Sequence, residues 1–349
     1  MNYRLAIKWK IIELKLKSYC YKFCKLNTNR KENEAIKKRS NMQTILGANG
    51  QIGEELAREL KRNYTSDIRV VSRRAHKIND TDTVFSADLT NKEKAIEAVK
   101  GSEIAYFTLG LPMNTDLWEK QFLLITRNVI EACKINKTKL VFFDNTYMYP
   151  QDSRVLTEET AFQPVGRKGE IRKEMAEMVL SEIKSGQLEA VICRAPEFYG
   201  PAKTQSITNT LIFNAIKENK KLKVPLSDTK KRSLIWTPDA SRATALIGNT
   251  PDAFNQTWHL PVDETHLNYK EFIALASQIY GKELKYKVMP KFVFTIGAFF
   301  NKQAKELQEL LPRYEHANVF DDSKFRKRFP DFVVTSYRSG IEQIKSERH

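Results

Sequence analysis

The chain is short of the residues that define several whole classes of protein. Four cysteines in 349 residues are too few and too scattered for a disulfide scaffold, and favour a reducing compartment. No stretch reaches the ~18–20 consecutive apolar residues needed to cross a bilayer, so no membrane span is expected. An apolar run of about 7–15 residues followed by small residues is also missing near the start, which argues against a secretory signal. There is no GxSxG elbow, no HExxH and no GxxxxGK followed by Ser or Thr, so a hydrolase triad, a zinc protease and a P-loop lose their support. Cys20 and Cys24 have no second pair nearby and do not make a zinc site. The five histidines show no ligand spacing, and His259 reads as a strand residue rather than a metal ligand. No metal is expected. Cys133 and Cys193 sit in apolar helix and strand contexts and read as core. A cytoplasmic location is expected.

Acid is scarce as well. The 58 Lys+Arg against 42 Asp+Glu give a net charge of +16, which invites a nucleic-acid reading. The excess is not evenly spread: residues 1–41 hold 12 Lys+Arg and 3 Asp+Glu, so +9 of the +16 belongs to this head. Its Lys/apolar alternation keeps neither a helical nor a strand period, because the phase slips at Ile11–Ile12. A basic membrane-surface helix using Trp9, Ile12 and Leu16 is one reading. The favoured one is an extension without a fold of its own, with the folded chain starting at Met42. Nucleic acid is therefore not an expected partner; a small-molecule substrate is, with the chain a monomer or homodimer.

What is present from Met42 onward is an alternation. The run QTIL leads into Gly47-Ala-Asn-Gly50-Gln-Ile-Gly53, after which Ile52, Leu56 and Leu60 recur every four residues. That is a strand, a glycine turn and a helix with one buried face. IRVVSRR (68–74) and TVFSADL (83–89) read as strands, then KEKAIEAVKG as a helix. IAYFTLG (104–110), KLVFFDN (139–145) and LEAVICRAP (188–196) read as further strands, with the helix WEKQFLLITRNVIEACK between the first two. Strands alternating with such helices predict an α/β fold with a doubly wound parallel sheet. Beyond about residue 200 the pattern loosens, with helices expected near 207–219 and 269–280 and short strands near 222–225, 233–236 and 257–261. The aromatic run KFVFTIGAFFN (291–301) is too short to span a membrane; a membrane or partner surface is one reading, and packing as a C-terminal helix against the core is the favoured one.

The glycine turn has a mechanical purpose. Backbone without side chains lets a pyrophosphate approach closely, and the helix that follows offers free N–H groups and a partial positive charge. Gly47, Asn49, Gly50, Gln51, Ile52 and Gly53 are thus candidate dinucleotide-binding residues. The GxxGxxG spacing resembles the extended and atypical short-chain dehydrogenase/reductases, the group of the nucleotide-sugar epimerases and dehydratases. Other stretches agree in order. Ala87-Asp88-Leu89 resembles the family's adenine-contacting segment, and DNTYMY (144–149) stands at its Ser-containing strand end. RAPEFYGP (194–201) is similar to its RPxxxYGP segment and RSLIWTPDASRA (232–243) to its RDFxHVxDxAxA stretch. The resemblance covers about 42–290. It implies a Rossmann-type core over 42–200 that binds NAD(P), with Asp88 and Leu89 at the adenine. It also implies a mixed α/β substrate region and helical tail over 201–349, parts of which return to the core.

Charge speaks to which dinucleotide. An NAD site carries an acid roughly 20 residues beyond the last glycine, on the ribose 2′-OH. Counting on from Gly53 reaches Arg73, flanked by Ser72 and Arg74. A guanidinium grips a 2′-phosphate through paired hydrogen bonds where a carboxylate would repel it. NADP(H) is therefore expected over NAD(H), with Arg73 and Arg74 as its ligands.

The catalytic pattern departs from the family. The resemblance implies a Tyr-x-x-x-Lys pair with a nearby Ser, a chemistry that needs a phenol whose pKa an ammonium lowers. In PVGRKGEIRKEMAE (164–177), Lys173 and Glu177 take the places of the family's Lys and following Glu, while Gly169 stands at the tyrosine position and Asn145 at the serine position. Tyr149 or Tyr147 is then the candidate proton donor, with Tyr149 preferred, Asn145 the group holding the substrate oxygen, and Lys173 the ribose ligand. Two functions remain open. One is an NADP(H)-dependent oxidoreductase or epimerase/dehydratase-like enzyme on a hydroxyl- or carbonyl-bearing small molecule, such as a nucleotide sugar. The other is a non-catalytic NADP(H)-binding redox sensor with a degenerate site.

Overall fold

A computed structural model describes residues 41–201 and 203–347. The chain divides into two units, Met1–Asn41 and Met42–His349. Trp9, Ile12, Leu16, Cys20 and Cys24 lie outside the described residues. The second unit carries the sheet and the cleft.

The unit opens with β1 (Gln43–Leu46), buried along its whole length, as a parallel strand covered on both faces must be. The glycine turn follows, then α1 (Gln51–Asn63), whose Ile52, Leu56 and Leu60 are buried at their four-residue spacing. Next in order come β2 (Ile68–Ser72), β3 (Thr83–Ser86), α2 (Lys92–Val99), β4 (Ile104–Phe107) and the 22-residue α3 (Thr115–Asn136). Asn91 and Asn114 start α2 and α3, each side chain accepting a backbone N–H of the first turn. Then follow β5 (Lys139–Asp144), α4 (Arg167–Lys184), β6 (Ala190–Arg194) and the short β7 (Glu197–Tyr199).

Beyond residue 200 a π-helical turn, Asn209–Phe213, runs into α5 (Asn214–Lys217), so the helix expected near 207–219 starts with a widened turn. β8 (Leu222–Pro225), β9 (Leu234–Trp236), α6 (Thr237–Gly248) and β10 (Thr257–His259) come next. α7 (Tyr269–Tyr280) carries an Asn268/Glu271 capping box and ends at Gly281 in the left-handed conformation. The chain closes with β11 (Tyr286–Met289), α8 (Lys291–Phe300), α9 (Lys302–Gln308), α10 (Ser323–Arg328) and α11 (Tyr337–Ser346).

The main sheet has seven strands in the order β10-β6-β5-β4-β1-β2-β3, and every pairing is parallel. One face packs against α1, α6 and α10 through residues such as Leu56, Ala243 and Phe325. The other packs against α2, α3 and α4 through Val99, Phe122, Ile125 and Met175. The strand order reverses between β1 and β4, and at such a switch point ligands bind beyond the carboxyl ends of the strands. A satellite core around Tyr199, Trp236, Phe272 and Tyr337 joins α7 and α11 to the small strands. β10 returns to the main sheet beside β6, so the second half of the chain also completes the first.

The run 291–301 does form a helix, α8, but it does not enter the core. None of its residues is buried, and Phe299 and Phe300 are 82% and 87% exposed. The expectation that it packs against the core is not met: none of its residues joins a core cluster. Mean apolarity marks such a run as core, but among the described residues no element faces its outer side.

Candidate active site

A cleft of about 1630 Å³ opens at the switch point, and the glycine turn forms one of its walls. Gly47 takes φ of +97°, in the left-handed region, and a Cβ there would lie 2.5 Å from the Leu109 Cα. At Gly53 a Cβ would meet the Gly47 carbonyl oxygen at 2.6 Å and the Ala48 Cα at 2.7 Å. The helix therefore sits directly on the strand end, which only glycine permits. Gly50 is the N-cap of α1 and supplies no side-chain cap, so the first-turn N–H groups keep their capacity for an anion. Gln51 and Lys203 fasten a second wall across the turn. The Gln205 N–H donates to Gln51 Oε1 at 2.5 Å, and Lys203 Nζ pairs with Glu54 at 2.6 Å.

At the end of β2, Ser72, Arg73 and Arg74 all line this cleft. Ser72 Oγ is buried without a hydrogen-bond partner, and neither guanidinium makes a hydrogen bond or salt bridge among the described residues. Asn49 Nδ2 donates to the Arg74 carbonyl at 2.7 Å, fixing this corner to the glycine turn. Asp88 and Leu89 line the same region. The Thr90 N–H and hydroxyl, bonded to Asp88 Oδ1, hold its carboxyl below the usual range, and the field of Arg73 adds to this. A glycine cradle, an uncapped helix N-terminus, an unpartnered hydroxyl and two free guanidinium groups suit a dinucleotide.

The opposite wall is built from the end of β5 and from α4. Asn145 and Tyr147 both line the cleft. Asn145 Oδ1 accepts the Tyr147 N–H at 3.0 Å, which leaves the amide Nδ2 without a partner among the described residues. The Tyr147 ring stacks on Trp118, with centroids 6.1 Å apart and planes 9° from parallel. Burial raises the Tyr147 phenol, and the nearby Arg313 guanidinium only partly offsets it. No hydrogen bond to this hydroxyl occurs among the described residues.

Tyr149 and Lys173 are not brought to the cleft. Tyr149 is 1% exposed, and its hydroxyl is held by Arg194 Nη1 at 2.6 Å, His259 Nε2 at 2.7 Å and the Thr157 carbonyl at 3.0 Å. Burial pushes this phenol up to about 12 against the pull of Arg194. His259 Nδ1 faces the Asp321 carbonyl at 2.9 Å and must carry its proton there, so the neutral ring offers Nε2 as an acceptor. Lys173 points toward solvent and makes an i,i+4 pair with Glu177 at 3.7 Å.

The residue that takes the inward position is Arg172, which lines the cleft. Its Nε and Nη2 donate to Asp144 Oδ1 at 3.1 and 2.5 Å, while Arg194 donates to Asp144 Oδ2 twice at 3.2 Å. One buried carboxylate between two guanidinium groups leaves a positive balance beside Asn145 and Tyr147. Gly169, at the expected tyrosine position, has no room for a side chain: a Cβ would lie 2.8 Å from the Tyr147 carbonyl oxygen. Lys168 is also inward and 1% exposed, held by Glu306 at 2.6 Å and Glu309 at 3.3 Å. The helical pattern itself carried this signal. Ile171, Met175 and Val179 mark the buried face of α4, and Lys168 and Arg172 share it. Lys173 sits about 100° further round. Among the described residues no cluster of His, Cys, Asp or Glu suits a metal, and no helix is long and apolar enough to cross a membrane.

Comparison with known proteins agrees with this architecture. Residues 44–260 match the model of the NAD dependent epimerase/dehydratase family, and the chain belongs to that family. The fold is shared with UDP-glucuronic acid 4-epimerase from Bacillus cereus, solved with NAD, at a TM-score of 0.71 and 15% identity over 88% of this chain and 99% of that one. UDP-N-acetylglucosamine 4-epimerase from Bacillus cereus aligns at 0.69 and 15% identity, over 89% and 100%. dTDP-glucose 4,6-dehydratase from Bacillus anthracis, also with NAD, aligns at 0.69 and 14%, over 88% and 97%. No curated protein matches the sequence.

Proposed function

We propose that this chain is an NADP(H)-dependent oxidoreductase or epimerase/dehydratase-like enzyme acting on a hydroxyl- or carbonyl-bearing small molecule. A nucleotide sugar is the substrate class suggested by the solved relatives, which are named for UDP- and dTDP-sugars. The observation that carries the reading is the placement of Asn145 and Tyr147 in the same cleft as the glycine turn.

In this reading the α1 N-terminus and the glycine turn hold the pyrophosphate, Asp88 and Leu89 flank the adenine, and Arg73 and Arg74 take the 2′-phosphate. The two relatives solved with NAD set the opposing expectation, and the unengaged guanidinium groups at the end of β2 favour NADP(H). When bound, the nicotinamide supplies hydride chemistry at a carbon that bears oxygen. The chain supplies position and a proton. The Asn145 amide donates to the substrate oxygen. Tyr147, kept protonated by burial, donates a hydrogen bond to the same oxygen and serves as the acid. Arg172 takes the ribose-side place expected of Lys173, with Asp144 fixing its direction. Tyr149 acts as a positioning residue through Arg194, which shares Asp144.

The degenerate Tyr-x-x-x-Lys pair supports a second reading, a sensor that binds NADP(H) without turnover. Gly169 excludes a tyrosine by lack of space, and Lys173 stays at the surface. One experiment separates the two: deuteride transfer from labelled NADPH across carbonyl compounds and nucleotide sugars. Transfer that Tyr147→Phe abolishes supports the enzyme. Tight NADPH binding without transfer to any member supports the sensor, and absence of nicotinamide binding overturns both.

A further inference from the structure

We infer that α8 docks the protein onto an anionic phospholipid bilayer. Phe292, Ile296, Phe299 and Phe300 follow an i, i+4, i+7, i+8 spacing, so they form one stripe, and they are 62%, 54%, 82% and 87% exposed. Isolated exposed apolar residues are ordinary, but three phenylalanines and an isoleucine on one helix face form a contiguous patch. The ten-residue helix rises only about 15 Å, half a bilayer core, so it can lie in the interface but cannot span it.

The charge around the patch selects the occupant. Over 282–305 the sequence has six lysines, Lys282, Lys285, Lys287, Lys291, Lys302 and Lys305, against one acid, Glu283, and of these Lys291 is paired with Glu315 at 3.1 Å. The acids that follow, Glu306 and Glu309, are turned inward onto Lys168. An exposed apolar helix face within a lysine-rich segment suits interfacial binding to anionic lipid, with ammonium groups reaching the headgroups while the rings enter the acyl boundary. A second copy of this chain would bring two lysine-rich segments together, and like charges across an interface oppose association. The chain's own residues 1–41, with 12 Lys+Arg and 3 Asp+Glu, carry the same sign. An anionic bilayer satisfies both the rings and the lysines.

The chain just after this helix is anchored to the body of the fold. Glu309 accepts the Lys168 N–H at 2.5 Å, and Glu306 accepts the Thr115 N–H at 3.0 Å, so the segment after α8 is fastened to α3 and α4. Phe294 of α8 and Leu307 of α9 line the catalytic cleft. The docking helix is thus also a wall of the site, and a docked molecule holds that cleft close to the membrane surface.

The test uses the full chain in flotation with vesicles of phosphatidylcholine alone or of a two-to-one mixture with phosphatidylserine. The chain is expected to float with the mixed vesicles and not with the neutral ones. The Phe299→Asp/Phe300→Asp variant is expected to lose about tenfold or more of its bound fraction with an unchanged melting temperature. Lys285→Glu/Lys287→Glu is expected to lose binding to the mixed vesicles only. Failure of the chain to float overturns the inference. So does flotation that the phenylalanine variant leaves intact, which assigns binding to another segment. A concentration-dependent dimer abolished by that variant, without flotation of the parent chain, assigns the face to a second copy and overturns it equally.

Discussion

The guanidinium of Arg172 reaches across from α4 to the carboxylate of Asp144 at the end of β5, at 2.5 Å, with both groups buried. This pair fixes which side of α4 faces the cleft, and Arg194 completes it from β6 at 3.2 Å. Removing one partner of a buried ion pair strands the other charge. Asp144→Asn leaves two guanidinium groups without a counter-ion and is expected to cost about 3–5 kcal/mol of stability. The shift should appear in the denaturant midpoint with an unchanged slope.

The glycine cradle yields a sharper contrast. Gly53→Ala places a methyl 2.6 Å from the Gly47 oxygen, which forces α1 away from β1. Nicotinamide binding, followed by fluorescence of the reduced cofactor, is expected to fall at least about tenfold, because the N–H groups and the turn no longer converge on one phosphate. Gly101→Ala is the control. Its φ is +78° but nothing lies within 4 Å of the added Cβ, so it costs about 1–2 kcal/mol of backbone strain and leaves cofactor affinity unchanged.

Cofactor choice turns on Arg73 and Arg74. Arg73→Glu/Arg74→Glu sets two carboxylates where the 2′-phosphate is proposed to sit, and is expected to weaken NADPH by at least about tenfold while sparing NADH. Equal losses for both cofactors in calorimetric titration would sink the assignment.

The two tyrosines should separate cleanly. Tyr147→Phe removes a hydroxyl in the cleft that bonds to no described group, so stability stays level while hydride transfer falls by about 10²-fold or more. Tyr149→Phe removes the acceptor of Arg194 and the partner of His259, and is expected to destabilise by about 1–3 kcal/mol. If the roles were reversed, Tyr149→Phe would abolish turnover at unchanged stability.

Stability should also fall in mild acid. Burial, with the field of Arg194 behind it, holds the His259 ring well below its ordinary 6.5. The unfolded chain therefore takes up a proton there before the folded one does. The contribution of the neutral ring is complete above about pH 6.5 and is lost as pH falls toward the folded-state value, by up to about 1.4 kcal/mol per unit. His266, half-buried against Ser233 and also lowered by burial, acts in the same direction. His259→Gln should flatten part of the slope between pH 6.5 and 5 in urea titrations, and an unchanged slope would refute the assignment.

Much of this was legible along the chain because it depends on local order. QTIL before a glycine turn, and Ile52, Leu56 and Leu60 after it, are statements about neighbours, and periodicity reports them directly. The strand ends carrying Arg73, Asp88 and Asn145 follow from the same alternation, and all three line the cleft. Lys173 shows where this stops. Matching one lysine to a family position selects it, but the buried face of α4 belongs to Lys168 and Arg172, one residue earlier in phase. Tyr147 and Tyr149, both past the end of β5, are equal candidates by position.

Sequence by itself determined the parallel α/β order, the glycine turn and the basic end of β2, because each is written in consecutive residues. Only the tertiary structure decided which phenol meets the cleft and which basic residue of α4 lines it. It alone left α8 exposed among the described residues. Those outcomes depend on contacts between residues far apart in the chain, such as His259 on Tyr149, Asp144 under Arg172 and Glu309 on Lys168. No local period encodes which distant partner closes on a side chain, and packing settles it.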